Sequence, residues 1–348
     1  MRQVAPVWIY AAYASALCGC AQVAGDSEDK SEPTLRIAAA SGFRDVARER
    51  LLPRFAAIWQ SESGRRPRFE ESYGSAGSVT RSIGSGFEAD VALLMSAGDI
   101  QQLATSNIVP HTGSSSPAGR IIARGKVVIG VRPGNPKQIL EWDDLARADV
   151  GVILADPRTS GGSRWNVFAI WGSGRLGTGG SEAAARDLLA RIVVRVVTFE
   201  SSSRLSLAAF ARGAGDAIVT AENELQMLRA RTGVAYETIV PSATLRMDLP
   251  ATVIEASIAR HQNRALAEAF LAFLRGPEGQ AAFREFGFMP LVDPAEKSAR
   301  VDSKPSDAKL FTIEELGGWT RLDRDLFGPG GVWDKLFVDA AKRGPTAR

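Results

Sequence analysis

The residues best suited to bind a ligand in this chain lie in a glycine-rich segment, Pro157 to Asn166, which reads PRTSGGSRWN. Gly161 and Gly162 carry no side chain, so a ligand can approach their main-chain N–H groups closely. A helix predicted over 163–171 would add the positive end of its dipole at the same point. The segment therefore predicts an anion site, with an ordinary capped turn between a strand and a helix as the alternative.

Three other loops place serine and glycine before a predicted helix. Ser41 and Gly42 follow the first predicted strand, the loop over 72–78 follows the second, and the loop over 201–204 precedes a helix in the other half of the chain. Serine is a leading helix N-cap, so each loop alone favours capping over ligand contact. Taken together, four such loops favour an oxyanion held between two lobes by neutral donors.

The elements that must position these loops alternate between short apolar strands and amphipathic helices. This alternation is typical of an α/β fold with mostly parallel sheets, in which ligands bind at the carboxyl ends of the strands. The predicted strands cover 35–40, 68–72, 89–95, 126–131, 150–154 and 217–220, and the predicted helices cover 45–62, 76–84, 163–171, 181–194, 205–212, 222–231 and 263–275.

Composition and charge narrow the function classes. The 348 residues exceed a usual single domain, and 45% hydrophobic with 23% charged residues can build ordinary cores, so two lobes are predicted. The net charge of +3 is small and the basic residues are scattered, which argues against nucleic-acid binding. His111 and His261 stand apart from any nucleophile motif or metal-ligand spacing. We therefore expect no enzyme activity, no metal and no cofactor.

The N-terminus has the pattern of an export signal. Arg2 precedes an apolar run over 4–17 that is too short to span a bilayer comfortably, and small residues end it. We predict a signal peptide over 1–19 and an acidic, solvated tether over 20–33. The ending resembles a bacterial lipobox, which implies that Cys20 is lipidated at the outer face of the cytoplasmic membrane, with a plain secretory signal as the alternative. Both cysteines lie in this segment, so the folded part has no disulfide.

Five segments in the same order resemble the bacterial sulfate- and thiosulfate-binding proteins that serve ATP-driven (ABC) importers. They cover 127–145, 156–172, 212–224, 276–280 and 310–319. The resemblance implies a two-lobed periplasmic-binding-protein clamshell of type II, with 34–120 and 222–348 in the first lobe and tail and 121–221 in the second. It also implies a monomer that captures sulfate or thiosulfate and delivers it to a permease.

Carried over position by position, the resemblance implies ligand contacts at Ser41, Gly42, Ser75, Ala76, Gly77, Ser160, Gly161, Gly162, Ser202 and Ala221. The serine and two glycines at 160–162 match the family outright, and Ser202 falls where the family uses a main-chain donor. Three positions depart: Gly42 or Ser41 replaces an aspartate, Ala76 replaces a serine, and Ala221 replaces a tryptophan whose indole N–H donates to sulfate. Each lost donor in a desolvated site costs about 1–3 kcal/mol, so weakened sulfate binding is expected.

Two alternatives to sulfate transport remain at this stage. The loops at 38–41 and 72–78 also resemble those of molybdate-binding proteins, so another oxyanion is possible. A sensory module of the same shape would share the ligand site. Phosphate needs an acceptor for its proton, and Asp45 and Glu222 are expected on solvated helix starts outside the cleft, so phosphate is disfavoured.

Overall fold

The structure is a computed structural model that describes residues 32–109, 120–177, 179–291 and 308–336. The predicted signal peptide, Cys20, most of the tether and His111 lie outside these ranges. Contacts group Pro33–Arg348 into one compact unit. Within the described ranges, every helix is too short or too polar to cross a membrane.

The strands are β1 Thr34–Ala40, β2 Arg68–Gly74, β3 Val91–Leu93, β4 Arg120–Val131, β5 Val152–Ala155, β6 Val196–Glu200, β7 Ala217–Ala221, β8 Glu237–Ile239, β9 Ala243–Val253 and β10 Lys309–Phe311. The helices are α1 Arg44–Val46, α2 Leu52–Ser63, α3 Ala76–Gly84, α4 Ala97–Thr105, α5 Gly161–Leu176, α6 Glu182–Val193, α7 Ser203–Ala211, α8 Glu222–Thr232, α9 Glu255–His261, α10 Arg264–Arg275, α11 Pro277–Glu285 and α12 Trp319–Phe327. A π-helical turn, Ala47–Leu51, makes α1 and α2 continuous.

Strand pairing forms two parallel sheets joined by two long antiparallel strands. The order along the sheet is β2-β1-β3-β9-β4-β7-β5-β6. In the first sheet β1 pairs in parallel with β2 and β3, and in the second β5 pairs in parallel with β6 and β7. β4 pairs with β9 as far as Lys126 and with β7 from Val127 onwards, so it belongs to both sheets. The predicted α/β fold is confirmed, and the antiparallel pair that joins the sheets is an addition to it.

The sequence predicted the two joining strands poorly, and it also missed β6, β8 and β10. The apolar pattern predicted β4 only from Lys126, whereas the strand begins at Arg120, and β9 was not predicted at all. Charged residues interrupt the apolar pattern of both strands. They are partnered across the strands, as in the 2.9 Å contact from Arg124 Nε to Asp248 Oδ1. Cross-strand ion pairing thus replaces the hydrophobic signal on which strand prediction depends.

The division between the predicted lobes can be compared with the packing of α8. The predicted boundary after residue 221 assigns α8 to the first lobe. Leu225 and Leu228 of α8 pack in one buried cluster with Val128 and Phe210, which lie on and against the second sheet. The lobe boundaries therefore stay a prediction, while α8 is a neighbour of the second sheet.

The C-terminal segment packs its aromatic residues on α5. Trp319 of α12 lies with its ring centroid 5.0 Å from that of Trp165 and 5.2 Å from that of Phe168. On the other side, Thr320 Oγ1 donates to Gln101 of α4 at 2.8 Å. A Cβ at Gly98 of α4 would lie 2.2 Å from Trp319, so only glycine admits this ring. These contacts pack the C-terminal segment on the core.

The buried carboxylate of Asp90 links the start of the first sheet to α9 and α10 through hydrogen bonds. Asp90 is 0% exposed and accepts from Arg36 N at 2.7 Å and from Asn263 Nδ2 at 2.8 Å. His261 Nδ1 lies 2.6 Å from the other carboxyl oxygen. Because an ionised carboxylate only accepts, His261 donates here and joins α9 to the strand ends.

We expect His261→Ala to destabilise the fold by about 1–3 kcal/mol, because it leaves a buried acceptor of Asp90 without its donor. Urea unfolding followed by circular dichroism measures this free energy. The neighbouring Arg260 forms an exposed ion pair with Glu88, so Arg260→Ala should cost less than about 1 kcal/mol. Equal losses for the two variants would contradict the role assigned to His261.

Candidate functional site

A cavity of about 500 Å³ lies where loops from the carboxyl ends of both sheets meet. Its lining comes from three parts of the chain, and consists of Ala40, Ser41, Gly42, Arg44, Asp45, Tyr73, Gly74, Ser75, Met95, Thr159, Ser160, Gly161, Gly162, Ser201, Ser202, Ser203, Arg204, Leu207, Ala208, Asn223, Glu224, Met227, Leu228 and Arg231. This is the place at which an α/β fold with parallel strands binds its ligand.

Three helices present serine-capped N-termini at this cavity. Ser75, Ser160 and Ser202 are the N-caps of α3, α5 and α7, and each hydroxyl accepts from the N–H three residues further on at 3.3 Å. The capping role predicted for these serines is confirmed. A capping oxygen uses a lone pair and keeps its own proton, so the same hydroxyl can cap a helix and donate to a ligand.

The starts of α5 and α7 lie side by side. Gly161 and Gly162 are the first residues of α5, so their N–H groups have no carbonyl within the helix to pair with. Ser160 Oγ lies 3.5 Å from Ser203 Oγ of α7. A Cβ on Gly162 would lie 3.0 Å from the same Ser203 oxygen, which makes glycine the best fit at that contact. Together these groups form a cluster of donors suited to an anion.

Arg164 holds the glycine-rich loop in place. Its Nε donates to the carbonyl of Pro157 at 3.1 Å, and its Nη1 pairs with Asp323 of α12. The contacts show the loop-holding role, which connects the loop to the C-terminal segment.

The structure gathers most, but not all, of the predicted site residues in this cavity. Seven of them line it: Ser41, Gly42, Ser75, Ser160, Gly161, Gly162 and Ser202. Gly77 lines an adjoining cavity of about 860 Å³. Ala221 is buried as the last residue of β7, and it is not part of either lining. Ala76 begins α3, and its side chain is outside what the structure describes. Ligand contact at all ten positions stays a prediction.

Charged residues that the sequence did not assign to the site also line the cavity. Asp45 faces it and pairs with Arg231 of α8, so its expected place on a solvated helix start was wrong. Glu222 pairs instead with Lys126 at 3.1 Å. Arg44 lies over the Tyr73 ring, 5.2 Å from the centroid. Asp45 lies in the first helical turn after a glycine-containing loop, and this position is the sequence signal that could have identified it as a lining residue.

Glu224 is a further carboxyl group in the lining. It accepts from Thr220 Oγ1 at 2.6 Å. Burial raises the pKa of Glu224, while the hydrogen bond from Thr220 and the charge of Arg204 oppose the rise. The neutral form is therefore favoured more than for an ordinary glutamate, which reduces the negative charge that an anion meets in the cavity.

Metal chemistry finds no support in the parts of the chain that are described. No group of three or more histidine, cysteine, aspartate or glutamate side chains is close enough there to hold an ion. The cavity offers amide, hydroxyl and guanidinium donors, which bind anions rather than cations.

Asp99 lies at the start of α4, beside the adjoining cavity. It accepts from Ser96 Oγ at 2.9 Å and from Met95 N at 3.2 Å. Burial raises the pKa of Asp99 from 3.8 to about 6, although both hydrogen bonds and the charge of Arg164 lower it. The folded chain therefore holds a proton on Asp99 more tightly than the unfolded chain does.

The raised pKa makes stability depend on pH. The contribution of Asp99 is fully present below about pH 4 and is lost as the pH rises through about 6, a change of up to about 3 kcal/mol. We expect Asp99→Asn to remove this loss, so the variant gains on the parent between pH 4 and pH 7. Urea unfolding at four pH values measures the difference. Asp149→Asn is the control, because the pKa of Asp149 is lowered to about 2 and it does not titrate in this window. A difference for Asp99→Asn that stays flat with pH would contradict the assignment.

Two parallel sheets joined by a pair of strands, with an anion-suited cavity between their loops, define the class of two-lobed solute-binding proteins. The profile described as "Bacterial extracellular solute-binding protein" matches residues 35–289, and the chain belongs to this family.

Individual relatives agree with that assignment. A sulfate-binding protein of Synechococcus elongatus is 34% identical over 299 residues, which cover 86% of this chain and 85% of the relative. A thiosulfate-binding protein of Pseudomonas aeruginosa is 28% identical over 335 residues, covering 93% and 98%. Among solved structures, the sulfate-binding protein SubI from Mycobacterium tuberculosis superposes with a TM-score of 0.73 at 30% identity, over 85% of this chain and 100% of SubI. The resemblance stated from the five sequence segments and the clamshell fold are confirmed.

Proposed function

We propose that this chain is an extracytoplasmic solute-binding protein that captures sulfate or thiosulfate between its two lobes and delivers it to an ABC-type permease. One observation carries the proposal: the serine-capped starts of α3, α5 and α7 surround a single cavity. The names of the similar proteins, which are binding proteins for these two anions, support the ligand class.

The donor set explains why these anions fit. Sulfate and thiosulfate carry no proton at neutral pH, so they accept hydrogen bonds and donate none. Gly161 and Gly162 offer unpaired amides on the second sheet's side, and Ser75 offers a hydroxyl on the first sheet's side. An anion that contacts both sides stabilises the arrangement in which they are close, so binding favours closure of the lobes. The closed form is then the form that a permease recognises.

The remaining features of the proposal come from the sequence. The chain is exported, cleaved after residue 19 and lipid-anchored through Cys20 at the outer face of the cytoplasmic membrane. It acts as a monomer, with lobes near 34–120 and 121–221 and with 222–348 returning to the first lobe as the tail. No chemical step is performed on the ligand.

Calorimetric titration with sulfate, thiosulfate, molybdate and phosphate tests the ligand class. We expect sulfate or thiosulfate to bind with the lowest dissociation constant and phosphate to bind weakly, because the two carboxyl groups of the lining are engaged, Asp45 with Arg231 and Glu224 with Thr220. Preference for molybdate would replace the proposed anion while keeping the transport role. Binding of none of the four would overturn the proposal.

Gly161→Asp is expected to abolish anion binding. Two unit charges about 4 Å apart near a protein surface repel by about 4 kcal/mol, which corresponds to roughly a thousandfold loss of affinity. Gly161→Asn has nearly the same size without the charge, and it should retain clearly more affinity than the aspartate variant. If calorimetry finds Gly161→Asp as tight as the parent, this loop is not part of the site.

Lipidation at Cys20 is tested in the native host or a bacterial host with lipoprotein processing. We expect the full-length chain to incorporate labelled palmitate and to sediment with membranes, because acyl chains partition into the bilayer. Cys20→Ser should incorporate none and appear in the soluble exported fraction, whereas Cys18→Ser serves as the control and should behave as the parent. Labelling that survives in Cys20→Ser would exclude this residue as the anchor.

A further inference from the structure

A buried carboxamide in the cavity has no hydrogen-bond partner. Asn223, the second residue of α8, is 8% exposed and lines the cavity. Among the described residues, none donates a hydrogen bond to its side chain or accepts one from it. Its polar atoms are open to the cavity and are not sealed in the core, so its free hydrogen-bonding groups can meet a ligand there.

The backbone around Asn223 gives a second reason to look for a ligand there. α8 begins without a side-chain cap, because its N-cap residue is Ala221. The first N–H groups of α8 therefore lack the acceptor that a serine supplies at α3, α5 and α7. Asn223 is the second residue of this eleven-residue helix, so its carboxamide lies next to those N–H groups.

The surrounding charges favour an anion at this point. Arg204 of α7 and Arg231, about two turns beyond Asn223 on α8, line the same cavity. Of the two carboxyl groups in the lining, Asp45 is paired with Arg231, and Glu224 accepts a hydrogen bond from Thr220. The carboxamide is thus the neutral donor that stays available for a ligand.

We propose that Asn223 is a specificity-determining residue that donates its Nδ2–H to an oxygen of the bound oxyanion and so supplies the side-chain donor that Ala221 lacks. This inference rests on the proposed function. It adds a ligand contact at Asn223, two residues after Ala221, the position that the sequence resemblance indicated. A carboxamide that donates to the ligand favours a proton-free anion over one that carries a proton.

The first test compares Asn223→Ala with the parent by calorimetric titration with sulfate. Removing a donor to a buried anion should weaken binding about 10- to 100-fold. Asn263→Ala is the matched control, because that carboxamide lies outside the cavity lining and its Nδ2 donates to Thr34 O at 3.0 Å and to Asp90 at 2.8 Å. The control should lose stability in urea unfolding and keep its sulfate affinity within about twofold once folded. Asn223→Ala with unchanged affinity would overturn the inference.

The second test uses Asn223→Asp, which replaces the donor by a group that donates only when protonated. We expect sulfate binding to be lost at pH 8, where the new carboxylate is ionised and repels the anion, and to be partly recovered at pH 4, close to the ordinary aspartate pKa of about 3.9. The parent is titrated at the same two pH values, which accounts for any contribution from Glu224, Asp45, Arg44, Arg204 and Arg231 around the cavity. An equal loss of sulfate binding at both pH values would show that the carboxamide does not act as a donor. Tighter binding of phosphate than of sulfate by the parent would also contradict this role.

The two proposals fail in different ways. A parent that binds none of the four anions overturns the proposed function and this inference together. A parent that binds sulfate, with Asn223→Ala binding it equally well, overturns the inference alone. Circular dichroism of each variant shows that it is folded before its affinity is compared.

Discussion

The site depends on a constraint that every helix start must meet: the first N–H groups of a helix have no carbonyl within the helix to pair with. At α3, α5 and α7 a serine hydroxyl satisfies one of these groups and leaves others directed at a common cavity. Glycine at 161 and 162 keeps side chains from covering the exposed amides, and the contact with Ser203 allows little else at 162. An anion that fits between these starts is stabilised by groups that the fold leaves unpaired in any case, so little rearrangement of the donors is needed when it binds.

Most of the charged groups in the cavity lining are paired, shifted towards their neutral form or exposed to solvent. Asp45 and Arg231 neutralise each other across the gap between α1 and α8, and burial shifts Glu224 towards its neutral form. Arg204 is exposed at the rim, where solvent and salt weaken its field. The expectation of a site made only of neutral donors was therefore too simple, because guanidinium groups are present in the lining. Their pairing and exposure leave hydrogen-bond geometry as the main source of selectivity.

The sequence predicted the elements whose signal is local and missed those whose partners are distant. α3 was predicted over 76–84 and occupies those residues, because serine, glycine and spaced apolar residues specify it within a single turn. β9 was missed because Arg246 and Asp248 interrupt its apolar pattern, and only their contact with each other and with Arg124 makes them compatible with a strand. In the same way, the serine and glycine residues of the cavity could be named from their loops. Asp45 and Asn223 could not, because their place in the lining follows from how α1 and α8 pack against distant parts of the chain.

The sharing of β4 between the sheets has a thermodynamic consequence. This strand forms part of its backbone ladder with β9 and part with β7 of the second sheet, as the change of partner between Lys126 and Val127 shows. If either sheet unfolded, backbone groups of the shared strand would lose the hydrogen-bond partners that this sheet supplies. Neither sheet is therefore an independent folding domain. The two sheets are in this respect parts of a single cooperative unit, so a ligand that binds the cavity would stabilise the whole fold against denaturation and proteolysis.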